Sequence, residues 1–284
     1  MENSEKNQEV QETLIKAGLR KGYFTLVEGV YDPGILKAVF LAGGPGSGKS
    51  ATVDTLFNFP PDAANLSPSG LKIVNSDPAF EILLKKAGYD LNLSKMDDET
   101  FAKVTSDDPN SIRSRAKKIM LKQFELFKDG RLGIIVDGTG DNYNKISKQK
   151  KELEKLGYDC YMVFVNTTLD VAQQRNAMRK RKLPRKIVKD IWTDVQKNLG
   201  KFQGLFKSNF VIVDNSEDTR SKTKPGRLDL VPRLMKEVAR FISKPIKNPI
   251  GKKWIKMMMA HDKMSKSGDK RNRVTEELDL VKME

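Results

Sequence analysis

The segment Gly43-Gly44-Pro45-Gly46-Ser47-Gly48-Lys49-Ser50 fits G-x-x-x-x-G-K-[ST] at every fixed position. Glycines at these places let the backbone turn its N–H groups inward, forming an anion-binding concavity at the start of a helix. In such a cradle the lysine, Lys49, reaches the β- and γ-phosphates of ATP and the hydroxyl of Ser50 ligates Mg²⁺. The context agrees: an apolar run, Leu36 to Ala42, precedes the glycines, and a helical pattern, Lys49 to Phe57, follows them. An accidental glycine-rich turn has no reason to meet every one of these requirements.

Two further apolar runs end in carboxylates. One closes as Ile73-Val74-Asn75-Ser76-Asp77, the other as Ile134-Ile135-Val136-Asp137-Gly138-Thr139-Gly140. Chemistry in an open α/β sheet gathers at the C-terminal ends of the strands. One carboxylate there can accept a hydroxyl proton while another orients Mg²⁺ or its waters. Pro78 directly after Asp77 also suits that aspartate as a helix N-cap, and the two roles are compatible. Farther on, Arg175-Asn176-Ala177-Met178-Arg179-Lys180-Arg181-Lys182-Leu183-Pro184-Arg185 concentrates guanidiniums. Phosphoryl transfer needs cations on the γ-phosphate, and arginine offers a bidentate fork for it. Helical spacing predicts Arg175 and Arg179 on one face of a lid closing over ATP. The rival reading is a solvated basic face that binds nucleic-acid phosphate without catalysis.

The elements that must position these residues read as an alternation. Apolar runs at Leu36 to Ala42, Leu71 to Asn75, Leu132 to Val136, Tyr161 to Asn166 and Phe210 to Val213 are separated by helical patterns. These cover Lys49 to Phe57, Pro78 to Gly88, Ser111 to Lys128, Asn144 to Leu156, Leu169 to Lys180 and Arg185 to Leu199, with a closing helix at Leu230 to Ser243. That alternation predicts an α/β fold, a doubly wound five-stranded parallel sheet. Three segments follow: a helical appendage at 1–34 with a short helix near Glu9 to Gly18, a catalytic domain at 35–243, and a basic extension at 244–284 with no clear core face.

Of 284 residues, 38% are hydrophobic, which suffices for one substantial packed domain. No run is long enough for a membrane span, and the polar, acidic first ten residues argue against a signal peptide. One cysteine, Cys160, and one histidine, His261, argue against a His/Cys zinc site, a Ser-His-Asp triad and any intrachain disulfide. A reducing cytoplasm is the expected compartment. The net charge of +15 marks a polyanionic partner, nucleic acid included, or simply a lysine-rich solvated surface.

Together, the glycine loop, Asn75-x-Asp77, Asp137-Gly138-Thr139 and the Arg175-Asn176-x-x-Arg179…Leu183-Pro184 segment resemble the zeta-toxin and polynucleotide-kinase group of P-loop kinases, from about Ile35 to Ser243. The lid is closest to bacteriophage polynucleotide kinases, and the Asp137 element to zeta toxins. The Asp32-Pro33-Gly34 lead is similar to phage-encoded members, for which the compartment would be the host cytoplasm. The resemblance implies an ATP- and Mg²⁺-dependent kinase. Asp77 would activate an acceptor hydroxyl, Arg175, Arg179 and Arg181 would hold phosphates, and Asp137 and Thr139 would lie near substrate or magnesium. Relatives often carry a substrate-binding arginine three residues after the catalytic aspartate. Here Phe80 stands in that place, so the acceptor, whose identity the sequence does not give, is expected to differ. Two alternatives stay open: a polynucleotide 5′-hydroxyl kinase, and a non-catalytic ATP-binding assembly protein. The tail segment Lys263-Met264-Ser265-Lys266-Ser267 matches a nucleotide-binding loop of class I aminoacyl-tRNA synthetases, but the accompanying His-x-Gly-His element is missing and the match reads as chance.

Overall fold

A computed structural model describes residues 29–32, 34–57, 67, 69–216 and 230–266. The helix expected near Glu9 to Gly18, Pro33 of the lead-in turn and the end of the basic extension lie outside the described residues. Five strands form one parallel sheet: β1 (Lys37–Ala42), β2 (Lys72–Val74), β3 (Ile134–Asp137), β4 (Asp159–Asn166) and β5 (Phe210–Asp214). Their order is β2-β3-β1-β4-β5, which puts the first strand at the centre. Every residue of β1 is buried, as a strand covered on both faces must be. Ala38, Phe40 and Ala42 point to one face and Val39 and Leu41 to the other, the two-residue alternation of a pleated strand.

Among the described residues the helices are α1 (Lys49–Phe57), α2 (Asp77–Lys86), α3 (Asp98–Thr105), α4 (Ile112–Asp129), α5 (Tyr143–Lys155), α6 (Leu169–Met178), α7 (Arg185–Phe206), α8 (Leu230–Ser243) and α9 (Pro249–Lys266). On the first face Met120 and Phe124 of α4, Ile146 and Leu153 of α5 and Phe202 and Phe206 of α7 pack on the sheet. On the second, Val53 and Phe57 of α1 meet Leu234, Val238 and Ile242 of α8. A satellite core gathers Phe80 and Leu84 of α2, Val104 of α3, and Ile112 and Ala116 of α4. The expected doubly wound sheet is therefore the architecture found.

Two sequence expectations need correction, and one helix adds to the reading. The helix after β4 stops at Met178, not Lys180, because Arg179 is extended (φ −76°, ψ 154°). Arg175 and Arg179 hence do not share a helical face. Helix α3, in a stretch with no clear pattern, is capped by Asp97, whose side chain accepts from the Thr100 N–H. The extension read from Pro245 onward does have a core face, at least as far as Lys266. Ile246 is buried in the first core, and Trp254 and Ile255 pack against it.

The join between α9 and the sheet is specific. Asp159, at the start of β4, accepts from the Lys247 N–H at 2.8 Å and the Asn248 N–H at 3.0 Å, and from Lys37 Nζ at 3.2 Å. The Asn248 amide in turn donates to the Glu154 carbonyl at 2.7 Å and the Tyr158 carbonyl at 3.3 Å. Gly157 has φ +99°, and a Cβ on it would lie 2.6 Å from the backbone nitrogen of Gly251. The two backbones touch there with no room for a side chain.

Candidate active site

Strand register explains why separate motifs meet. Val74 pairs with Val136, so the next residues, Asn75 and Asp137, stand side by side at the ends of β2 and β3. Leu41 of β1 pairs with Asp137, which sets that carboxylate beside the turn leading into the glycine loop. Beyond the strands, Gly43 N–H donates to the Thr139 carbonyl at 2.9 Å and continues the ladder. This is the crevice at the carboxyl edge of the sheet, with strands on both sides of β1.

The glycine loop has the shape of a phosphate cradle. Gly46 and Gly48 have φ +79° and +84°. A Cβ on Gly46 would overlap the Ala172 backbone, and one on Gly48 would overlap the Asn215 amide. Ser47 Oγ is buried with no hydrogen-bond partner among the described residues. Helix α1 begins at Lys49 and points its N-terminus at the loop. A glycine-turned backbone, a helix start and an orphaned hydroxyl are what an oligophosphate fits. Ser50 is exposed on the first turn of α1. No cluster of three or more metal-ligating side chains occurs among the described residues. The donor set here, a hydroxyl and a carboxylate, suits Mg²⁺, which takes one or two protein oxygens and completes its shell from phosphates and water.

A chain of polar contacts runs from the loop to Asp77. Lys49 Nζ pairs with Asp137 Oδ1, and the Asn75 amide donates to the other oxygen, Oδ2, at 2.6 Å. Asn75 Oδ1 then accepts from the Asp77 N–H at 2.8 Å. Asp77 opens helix α2, but Asp77 does not serve as the N-cap: that position is Ser76, and Pro78 occupies the first turn. The Asp77 carboxylate is instead held from two sides. Arg113 Nη1 donates to Oδ1 at 3.0 Å, and Arg181 Nη2 donates to Oδ2 at 2.5 Å. Both guanidiniums lie over the buried Phe80 ring, 5.1 and 5.9 Å from its centroid. Burial pushes the Asp77 pKa up, but the charges of Arg181 and Arg113 outweigh it and hold the carboxyl below its ordinary value.

The three lid arginines part company. Arg175 lies behind the glycine loop, donating to the Asn215 carbonyl at 2.9 Å and the Ser47 carbonyl at 3.5 Å. Asn215 itself donates to the Ser47 carbonyl at 2.6 Å. Arg181 spans Asp77 and Glu81, with Nε 3.2 Å from Glu81. Burial and the Arg181 charge lower the Arg179 pKa, against the pull of Asp77 and Glu81. The fold of the lid turn rests on Asn176, buried, whose amide donates to the Leu183 carbonyl at 2.8 Å and accepts from the Leu183 N–H at 3.1 Å. Thr139 donates to Asp141, while Asn198 of α7 holds the Gly140 and Asp141 carbonyls at 3.1 and 2.7 Å.

Sequence reasoning missed Arg113, Asn198 and Asn215. Arg113 sits one residue inside α4, after the Ser111 cap, a position that signals a helix start and nothing more. Only the packing of α4 against α2 brings it to Asp77.

A zeta-toxin family model matches residues 83–221, just under half of the chain. Over that stretch the chain is similar to zeta toxins. The match takes in Asp137, Thr139 and the lid arginines and begins after the glycine loop and Asp77, so the zeta-toxin likeness and the loop are separate findings. No curated protein matches the sequence. Among solved structures, the chain is similar to the PezAT toxin–antitoxin system of Streptococcus pneumoniae (TM-score 0.41, 15% identity, 72% of this chain and 85% of that one). It is also similar to shikimate kinase from Bacteroides thetaiotaomicron (TM-score 0.41, 14% identity, 72% and 98%) and to a gluconokinase from Sinorhizobium meliloti (TM-score 0.41, 14% identity, 72% and 97%). Similarity at this level adds nothing to the reading of the site. The zeta-toxin match and the cradle together support a nucleotide-binding, kinase-like protein. No helix among the described residues is long and apolar enough to cross a membrane.

Proposed function

We propose that the chain transfers the γ-phosphoryl group of ATP to a hydroxyl of a second substrate, with Asp77 as the base. The observation that carries this reading is the connected set Lys49, Asp137, Asn75 and Asp77, which links the phosphate cradle to a carboxylate at the edge of the sheet. The loop backbone from Gly43 to Gly48, Pro45 included, surrounds the phosphates, and Lys49 turns from Asp137 to the β- and γ-oxygens. Ser50 and Asp137 are the residues to hold Mg²⁺, which when bound supplies charge neutralisation on the phosphate oxygens. Asp77 takes the acceptor proton as the acceptor oxygen bonds to the γ-phosphorus and the bond to the β,γ-bridging oxygen breaks, releasing ADP. Arg179 and Arg181 supply cations to the transferred group. Arg175 steadies the loop from behind. Thr139 lines the acceptor side with Asp137.

The paired state of Asp77 gives Arg181 a second task. A carboxylate held by two guanidiniums is a poor base. An incoming γ-phosphate competes for Arg181, and drawing it away raises the basicity of Asp77 when the phosphoryl donor is present. Arg113 stays and orients the carboxylate. Phe80, where relatives have an arginine, is the buried floor beneath both guanidiniums, so cations reach this place from α4 and the lid and not from α2.

The test is a transfer screen with γ-labelled ATP and Mg²⁺ across nucleosides, nucleotide sugars and 5′-hydroxyl oligonucleotides. With an acceptor in hand, Asp77→Asn is expected to cut transfer by about 10²–10⁴-fold and leave ATP affinity nearly unchanged. ATP binding with no transfer to any acceptor, and with no effect of Asp77→Asn, would favour the non-catalytic assembly reading. Lost ATP affinity in Asp77→Asn with turnover per bound ATP intact would make Asp77 a ligand and not a base.

A further inference from the structure

The pole opposite the glycine loop carries a second concentration of charge. Between residues 230 and 266 ten Lys/Arg face two carboxylates, Glu237 and Asp262, a net +8 of the chain's +15. Where α8 gives way to α9 the surface dips into a groove of about 590 Å³. Its cations are Lys37, Arg240, Lys244 and Lys247, and its carboxylates are Glu154, Asp159 and Glu237. Two of those carboxylates are already engaged: Glu154 pairs with Lys150 at 2.5 Å, and Asp159 holds Lys37 and two backbone N–H groups. Arg240, Lys244 and Lys247 are exposed and form no side-chain ion pair among the described residues. Lys244 continues the last turn of α8 through its N–H to the Arg240 carbonyl at 3.2 Å, so Lys236, Arg240 and Lys244 run along one ridge in steps of about 6 Å. Beyond the groove, α9 adds the exposed Lys252, Lys253 and Lys256.

The chemistry selects the occupant. A membrane-surface helix needs an outward apolar face as well as lysines. Here Trp254 and Ile255 of α9 are used against the core, and Ile250, 53% exposed, is a single apolar residue and not a continuous outward face. What dominates outside is a ridge and groove of regularly spaced cations. The cations also crowd one another: burial lowers the Lys37 pKa first, against its partner Asp159, and the nearby charges of Lys247 and Lys244 add to the lowering. A chain of phosphates relieves that crowding, and several lysines in a row match its repeat. We propose that this face binds the phosphodiester backbone of a nucleic acid, without base specificity and apart from the ATP site. This inference does not depend on the kinase reading.

The experiment uses the full chain and a fluorescein-labelled 20-nucleotide single strand, with anisotropy measured at several salt concentrations. Binding is expected to weaken linearly on a log–log salt plot. The Arg240→Gln, Lys244→Gln, Lys247→Gln triple variant is expected to flatten the slope by about 2, at roughly 0.7 per lost phosphate contact. Saturating Mg²⁺-ATP is expected to leave binding unchanged. A thermal melt of the variant checks that it is folded. A second triple variant, Lys252→Gln, Lys253→Gln, Lys256→Gln, should flatten the slope on its own if the first melts early. An unchanged slope in both variants overturns the proposal. So does displacement of the strand by ATP, loss of binding on Arg113→Gln instead, or binding to phosphatidylserine vesicles with none to the oligonucleotide.

Discussion

Two Lys–Asp pairs stand at opposite ends of the central strand. At its start Lys37 meets Asp159; past its end Lys49 meets Asp137. All four side chains are largely buried, at 3%, 12%, 15% and 4% exposure respectively. The difference lies in what else each carboxylate does. Asp159 also accepts two backbone N–H groups from the lead-in to α9, and Lys37 lies 4.8 Å from the Phe241 ring centroid. That pair is tied to backbone on one side and to a ring on the other. Among the described residues the partners of the Asp137 carboxylate are the side chains of Lys49 and Asn75. A pair made of side chains alone can be exchanged for a ligand without moving the backbone. The same two residue types thus make a fastening at one pole and an exchangeable contact at the other, and the neighbouring donors decide which.

The largest effect expected from breaking this contrast is at the fastening. A chain ending at Ser243 loses the contacts of Ile246, Trp254 and Ile255 and leaves Asp159 short of two donors. Burial of side chains of this size is worth about 1.5–3 kcal/mol each, so a loss of roughly 5 kcal/mol is expected in urea unfolding. An unchanged midpoint would mean that α9 is an ornament on the core. Next, Asp159→Ala removes one partner of a buried pair and should cost about 3–5 kcal/mol, while ATP affinity of the folded fraction holds. Lys49→Met should show the reverse pattern. Transfer is expected to fall by about 10²–10³-fold, with a melting temperature close to that of the parent protein, since charge stabilisation in the transition state is lost and no backbone tie is. Comparable destabilisation by Lys49→Met and Asp159→Ala would erase the distinction.

The smallest expected effect is a shift in pH dependence. Burial raises the Asp77 pKa, but Arg181 and Arg113 bring it below the ordinary carboxylate value, so the ionised carboxylate, the proposed base, is present above that lowered pKa and is lost as pH falls through it. Arg113→Gln removes one of the two charges that hold it down. The acidic limb of kcat/KM should therefore move to higher pH, and Arg113→Lys should restore part of the shift. A limb that stays in place would detach Arg113 from the base.

What could be read from the chain follows the same divide. The glycine loop and the two strand-end carboxylates are local: residue spacing in one strand-turn-helix unit fixes their geometry, and the structure brings Lys49, Asn75, Asp77 and Asp137 together as parallel pairing requires. Arg113 depends on how α4 packs on α2, which no spacing in either helix encodes. The lid arginines fell between these cases. Their clustering was visible, but Arg179 leaves the helix at its end, and Arg175 turns to the Ser47 and Asn215 carbonyls. The Trp254 to Met259 stretch could be read as a small helix touching the core, but its short core face, Trp254 and Ile255, stands among the exposed Lys252, Lys253 and Lys256. Its position is set less by apolar area than by Asn248 and Asp159.

The backbone contact between Gly157 and Gly251 has a consequence for descent. Neither position tolerates a side chain while α9 is seated, since a Cβ on either would enter the other's main chain. A lineage that lost the helix would be released from both constraints at once, and one that kept it is bound to both. Gly157 and Gly251 should therefore be inherited as a couple, present together or replaced together. Gly251 lies outside the stretch shared with the zeta-toxin model. The pair thus offers a two-letter marker for sorting proteins that bear this extra floor from those that share only the core.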